Sequence, residues 1–113
     1  MIRLRLSLDA DGCLTALKAE GHAEQGEAGP DLVCAAFTTL IKTLFNLLST
    51  AEGLLLEAGA EKEGRAFLKI LSCATEKRAW LKGVSDFFLR GMADLRKAYP
   101  ANLSIEIKAK VED

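Results

Sequence analysis

Two side chains in this sequence have the types needed for nucleophilic chemistry near neutral pH. His22 is the one histidine, and Cys34 follows it after a loop containing Gly26, Gly29 and Pro30. A thiol becomes a strong nucleophile when its thiolate is stabilised and a base stands within reach. A helix start favours negative charge through its unpaired N–H groups and its dipole, and Cys34 sits near the start of a helix-patterned apolar run. The His22 imidazole can supply the base. A glycine-bearing loop, Gly21–Pro30, lets the two approach and can admit a substrate. The same residues have a plainer reading, because free cysteine on an apolar helix usually packs as a small hydrophobe.

The flanking sequence supplies the elements that hold these residues. Ile2, Leu4, Leu6 and Leu8 alternate with Arg3, Arg5 and Ser7, which predicts a half-buried strand over Ile2–Leu8. Asp9–Gly12 is a turn, and a second strand runs from Cys13 to about Glu20, although Leu14 and Leu17 differ in parity. A helix beginning at Pro30 or Asp31 carries Val33, Phe37, Leu40, Ile41, Leu44, Phe45 and Leu48 and ends near Ser49-Thr50. Either start places Cys34 in or next to the first turn and makes Asp31 a cap or first-turn residue.

A second hairpin is expected from Leu54–Ala58 and Arg65–Cys73. Thr75 is the candidate cap for a second helix, with Trp80, Leu81, Val84, Phe88, Leu95 and Tyr99 at helical spacing, stopped at Tyr99-Pro100. Gly83 and Gly91 fall on nearly one face of it and permit close approach of another backbone. A last strand covers Leu103–Val111. The order β-β-α-β-β-α-β predicts an α/β protein of the α+β kind. It would be a two-layer sandwich, with a mainly antiparallel sheet and both helices on one face.

Composition narrows the function. The 113 residues fit a single domain over 1–113, half hydrophobic and 27% charged, which is a globular balance. The net charge is −1 and the fifteen Lys and Arg are scattered along the chain, so no direct nucleic-acid partner is expected. Apolar runs are interrupted by Lys42 and Glu52, and no membrane span is expected. Met1 leads directly into a strand pattern rather than a signal peptide. Cys13, Cys34 and Cys73 are odd in number and far apart, which fits reduced thiols and a cytoplasmic location. A single histidine without C-x-x-C implies neither metal nor cofactor.

Residues 21–40, GHAEQGEAGPDLVCAAFTTL, resemble the signature of the bacterial ribosomal-processing cysteine proteases, written around G-H-A, a glycine-containing loop and D-x-V-C-A-A. Gly21, His22, Ala23, Asp31, Val33, Cys34, Ala35 and Ala36 match in order and spacing. Thr38 stands where members often have serine, which keeps a hydroxyl one turn after Cys34. The resemblance implies a two-layer sandwich, a homodimer, and an endopeptidase that removes a short N-terminal extension from a large-subunit ribosomal protein.

Carried over residue by residue, Cys34 is the nucleophile and His22 the general base. Backbone N–H groups around Cys34 and Ala35 are candidate oxyanion donors, and small Ala35 and Ala36 leave room for a substrate backbone. Asp31 orients His22 or caps the helix, with the cap preferred. Gly21, Gly26 and Gly29 lend the loop its freedom. Two competing readings are a non-catalytic ribosome- or peptide-binding module with Cys34 as core packing, and a redox sensor, for which no resolving cysteine is evident. The aromatic residues Trp80, Phe87, Phe88 and Tyr99 read as core or dimer contacts.

Overall fold

A computed structural model describes the backbone of residues 1–21, 28–62 and 64–110, and the side chains of these except residues 28–31 and 61–62. The chain order is β1 (Ile2–Leu8), β2 (Leu14–Glu20), α1 (Ala28–Thr50), β3 (Leu54–Lys62), β4 (Arg65–Cys73), a 3₁₀ turn (Thr75–Lys77), α2 (Arg78–Ala98) and β5 (Leu103–Ala109). The strands form one mixed sheet in the order β3-β4-β2-β1-β5. Three pairings are antiparallel, while β1 and β5, the first and last strands, run parallel. This is the expected α+β two-layer sandwich.

Strand alternation decides which side chains meet the helices. Ile2, Leu4 and Leu6 of β1, Leu17 of β2, Leu68 of β4 and Leu103 of β5 are buried against the helical layer. Leu14 joins them because Leu8 pairs with Leu14 while Ser7 pairs with Ala16. Thr15 is thus the extra residue of a β-bulge, and its hydroxyl donates to the Ser7 carbonyl at 3.1 Å. The mismatched parity of Leu14 and Leu17 marks a bulge rather than a broken strand.

From α1, Val33, Phe37, Ile41, Leu44 and Leu48 enter the same core. From α2 come Leu81, Phe88 and Met92. Leu32–Thr50 is long and apolar enough to cross a membrane by length and composition alone, contrary to the reading that Lys42 breaks the run. Its apolar stripe is spent on the core, as in the central helix of a globular protein. Gly91 packs on Leu40 of α1, with the space of its missing side chain 3.6 Å from the leucine methyls, whereas Gly83 faces no atom within 4 Å. Of the aromatic residues, Phe88 is buried, Trp80 and Tyr99 are half-buried and Phe87 is exposed.

Three element ends differ from expectation. Strand β3 continues to Lys62 rather than Ala58, because Gly59 pairs with Phe67 and leaves room for its ring. Thr75 does not cap α2; it opens the 3₁₀ turn, and the helix begins at Arg78 with no side-chain cap at Lys77. Arg78 instead ties this helix start to the β1–β2 turn, donating to Asp9 at 2.8 Å and Asp11 at 3.1 Å. Strand β5 ends at Ala109, and the expected continuation at Val111 lies outside the described residues.

Candidate active site

The site is built from α1 and from the end of β2. Cys34 is half-buried and unpaired by any disulfide. It lines a groove of about 840 Å³ bounded on one side by α1 and on the other by β3 and β4. Cys34, Thr38, Ile41, Phe45 and Ser49 line it along one face of α1, at spacings of three or four residues. Ala58, Gly59 and Ala60 of β3 form much of the far wall. At about 1.5 Å per residue, the helix face from Cys34 to Ser49 is roughly 22 Å long. That matches six or seven residues of an extended peptide.

Gly21 places the chain beside this groove. It follows the last residue of β2, lines the groove, and donates its N–H to the Gly64 carbonyl at 2.9 Å. Its φ is +96°, a conformation that side-chain-bearing residues rarely adopt. A Cβ there would also lie 2.3 Å from the Met1 carbonyl oxygen. Glycine is therefore required twice over at the residue before His22. His22 itself, together with Ala23 and Gly26, lies outside the described residues.

Helix α1 begins at Ala28, two to three residues ahead of the expected start. Pro30 permits this because it falls in the first turn, where a backbone N–H has no intrahelical acceptor and its absence costs nothing. Cys34 consequently sits in the second turn, beyond the strongest part of the helix-end field. Its N–H and that of Ala35 are committed to carbonyls one turn back, so they are not free oxyanion donors. Asp31 is the fourth helical residue rather than the cap, and its side chain lies outside the described residues. Gly29 is part of the helix, and Gly21 is held at the strand end. Of the three glycines assigned to the loop, only Gly26 remains between these elements.

Ala35 is exposed and Ala36 half-buried, while Thr38, one turn after Cys34, lines the groove. Sequence reasoning missed the opposite wall, since nothing local announces that Ala58–Ala60 will face Cys34. Glu20, which also lines the groove, pairs with Arg65 at 3.8 Å. Among the described residues, no cluster of three or more His, Cys, Asp or Glu side chains is placed to hold a metal ion.

A family model described as cysteine protease Prp matches residues 1–104. The chain belongs to that family. Among solved structures, SMU.848 from Streptococcus mutans is 28% identical with a TM-score of 0.78, covering 97% of this chain and 96% of its own. The essential ribosomal processing protease Prp from S. aureus, solved with a covalently linked product peptide, is 18% identical with a TM-score of 0.78, over 96% of this chain and 100% of the other. The same S. aureus protease with a substrate peptide gives 17% and 0.77, over 96% and 100%. At those identities, the S. aureus structures and this Prp-family chain share a fold. No curated protein matches the chain.

Proposed function

We propose that this Prp-family chain is a cysteine endopeptidase that removes a short N-terminal extension from a large-subunit ribosomal protein. Cys34 is its nucleophile and His22 its general base. The observation that carries the reading is the groove itself. It runs from Cys34 along α1, and Gly21 fixes the chain at its edge one residue before His22. The S. aureus relative, described as a ribosomal processing protease and solved with substrate and product peptides, supports the substrate class.

In this mechanism His22 takes the Cys34 thiol proton, and the thiolate adds to the scissile carbonyl carbon to form a C–S bond. The imidazolium then protonates the amine as the C–N bond breaks, and water releases the acyl group from sulfur with His22 again acting as base. Oxyanion donors are sought ahead of Cys34, in the first helical turn, whose N–H groups lack intrahelical partners. Thr38 and the small wall residues Ala58–Ala60 line the path of the substrate backbone. A non-catalytic module with Cys34 as core packing is disfavoured, because the half-buried thiol packs against the core on one side and still lines the groove on the other.

The test is mass spectrometry of the host's N-terminally extended ribosomal protein after incubation with this chain, beside Cys34→Ala and His22→Ala variants. A single cut made by the unsubstituted chain alone supports the reading. No cut, together with a Cys34 thiol that iodoacetamide labels no faster than Cys73, overturns it.

The chain is further proposed to act as a homodimer, with Phe87, 76% exposed on α2, in the contact. Sedimentation equilibrium of the wild type and Phe87→Glu is the check. A monomer at micromolar concentration in both rejects the dimer.

A further inference from the structure

The face of the sheet turned away from the helices gathers cations from four strands. Arg3 and Arg5 of β1, Lys18 of β2, Lys69 of β4 and Lys108 of β5 all point to this side and are exposed. Register sets Arg5 directly opposite Lys18. Like charges so placed on antiparallel strands have Cβ atoms about 5 Å apart and repel. Arg5 is partly answered by Glu106 at 3.5 Å. Glu20, opposite Arg3, is engaged by Arg65. Arg3, Lys18, Lys69 and Lys108 form no ion pair among the described residues. Solvent-side positions on a sheet carry no packing demand that would impose this arrangement.

The cations surround a concavity. Arg3, Arg5, Lys18 and Arg65 outnumber Glu20 and Glu57 in the lining of a cavity of about 350 Å³ on the open face, with Phe67 in its wall and Glu57 opposite Lys69. Phe67 is the cross-strand neighbour of Lys18, and its ring lies over Gly59, with Cε1 3.1 Å from where a Cβ would be. An aromatic ring beside a basic concavity is the combination that holds an unpaired base and its flanking phosphates. Lys69 and Lys108 stand one row further along, roughly 6.6 Å on for two strand residues. The positive surface therefore outruns the reach of a single phosphate.

We propose that this open sheet face binds single-stranded RNA. Arg3, Arg5 and Lys18 would hold the phosphate backbone, Lys69 and Lys108 would extend the track, and Phe67 would offer its ring to a base. Binding of this kind needs neither Cys34 nor His22. The cavity opens on the other side of the sheet from the peptide groove, and the two meet at Glu20 and Arg65.

Fluorescence anisotropy of a fluorescein-labelled twelve-residue oligouridylate, titrated with the full chain at several salt concentrations, tests this. Single-strand contacts contribute about −0.7 each to the slope of log affinity against log salt, so four or five give roughly −3. The double variant Arg3→Gln/Lys18→Glu should weaken binding at least about tenfold and flatten the slope, while cleavage and thermal unfolding stay at wild-type levels. Lys18→Glu places a carboxylate opposite Arg5, and Arg3→Gln sets no like charge opposite Glu20, so the fold is expected to survive. Absence of wild-type binding at 50 mM salt, or equal binding by the double variant, overturns the proposal. So does binding to phosphatidylserine vesicles without binding to the oligouridylate.

Discussion

Cys13 and Cys34 mark two regions that use the same side chain in opposite ways. Cys13 lies at the closed corner where the β1–β2 turn meets the start of α2. It is 2% exposed, and burial pushes its thiol above the ordinary value, with nearby Arg78 only partly offsetting this. Around it the polar groups are tied together: Asp9 accepts from the N–H groups of Asp11 and Cys13, each at 3.0 Å, and from Arg78. Cys34 sits at the other kind of place, half-buried on a groove wall. A saturated polar network rigidifies a corner, whereas an open wall beside a glycine-anchored chain end leaves room for a substrate.

The largest effect expected from breaking this contrast is at Cys34. Cys34→Ala should lower peptide cleavage by more than about 10³-fold and stability by less than about 1 kcal/mol, since the thiol fills no closed cavity. Cys13→Ala should do the reverse, leaving cleavage intact and costing about 1–2 kcal/mol from a packed site. Urea denaturation beside a cleavage assay separates them. Iodoacetamide should label Cys34 well before Cys13. Equal labelling rates in the folded protein would erase the distinction.

Gly21→Ala sharpens the same contrast from the backbone side. The left-handed conformation costs about 1–2 kcal/mol with a side chain, and the Met1 carbonyl has to move away from the new Cβ. A shift of about 1 Å in the chain leading to His22 should reduce cleavage on the order of 100-fold. Gly53→Ala is the control. It has a φ of +85° and a Cβ position 3.1 Å from Ala74, but it does not line the groove. It should lose comparable stability and keep cleavage. If both variants cleave normally, the anchoring role of Gly21 is wrong.

Local pattern carried much of this fold and less of the site. Alternation in β1 and β5 and the apolar stripes of both helices follow from periodicity, because burial on one face imposes it. Thr15 shows where that logic stops, since a bulge is visible only once Leu8 and Leu14 are paired across strands. The helix start was misplaced because Pro30 marks the first turn without saying which of its positions it occupies. The motif singled out Cys34 and His22 as candidates and the structure sets Cys34 on a groove, but the wall of Ala58–Ala60 is contributed by a strand whose neighbours no local signal specifies. Cations scattered through the sequence looked inert for the same reason. Arg5 and Lys18 become neighbours only through the register of β1 and β2.

At the closed corner, Ser85 is the buried hinge of the polar network. Its hydroxyl donates to the Leu81 carbonyl at 2.7 Å and accepts from the Leu14 N–H at 2.9 Å, with 1% of the residue exposed. Ser85→Ala leaves the Leu14 N–H without a partner in the core, a loss of about 2 kcal/mol. Cleavage should not change. A denaturation midpoint equal to wild type would mean that water replaces the hydroxyl and that the corner is less closed than Cys13 indicates.

Asp9 gives the smallest effect and the one with a sign to check. Burial alone would raise its carboxyl, but hydrogen bonds from Arg78 and from the N–H groups of Cys13 and Asp11 outweigh this and hold it below the usual 3.8. A carboxyl whose folded value is depressed binds fewer protons folded than unfolded between the two values. Its stabilisation is therefore complete above about pH 4 and fades as the pH falls through the folded value. Asp9→Asn should lower stability by roughly 1 kcal/mol at pH 7. The gap from wild type should close in acid, read as the difference in urea midpoint between pH 7 and pH 2.5. A gap that stays constant over that range would assign the loss to the geometry of the turn, and the charge on Asp9 would then play no part in closing the corner around Cys13.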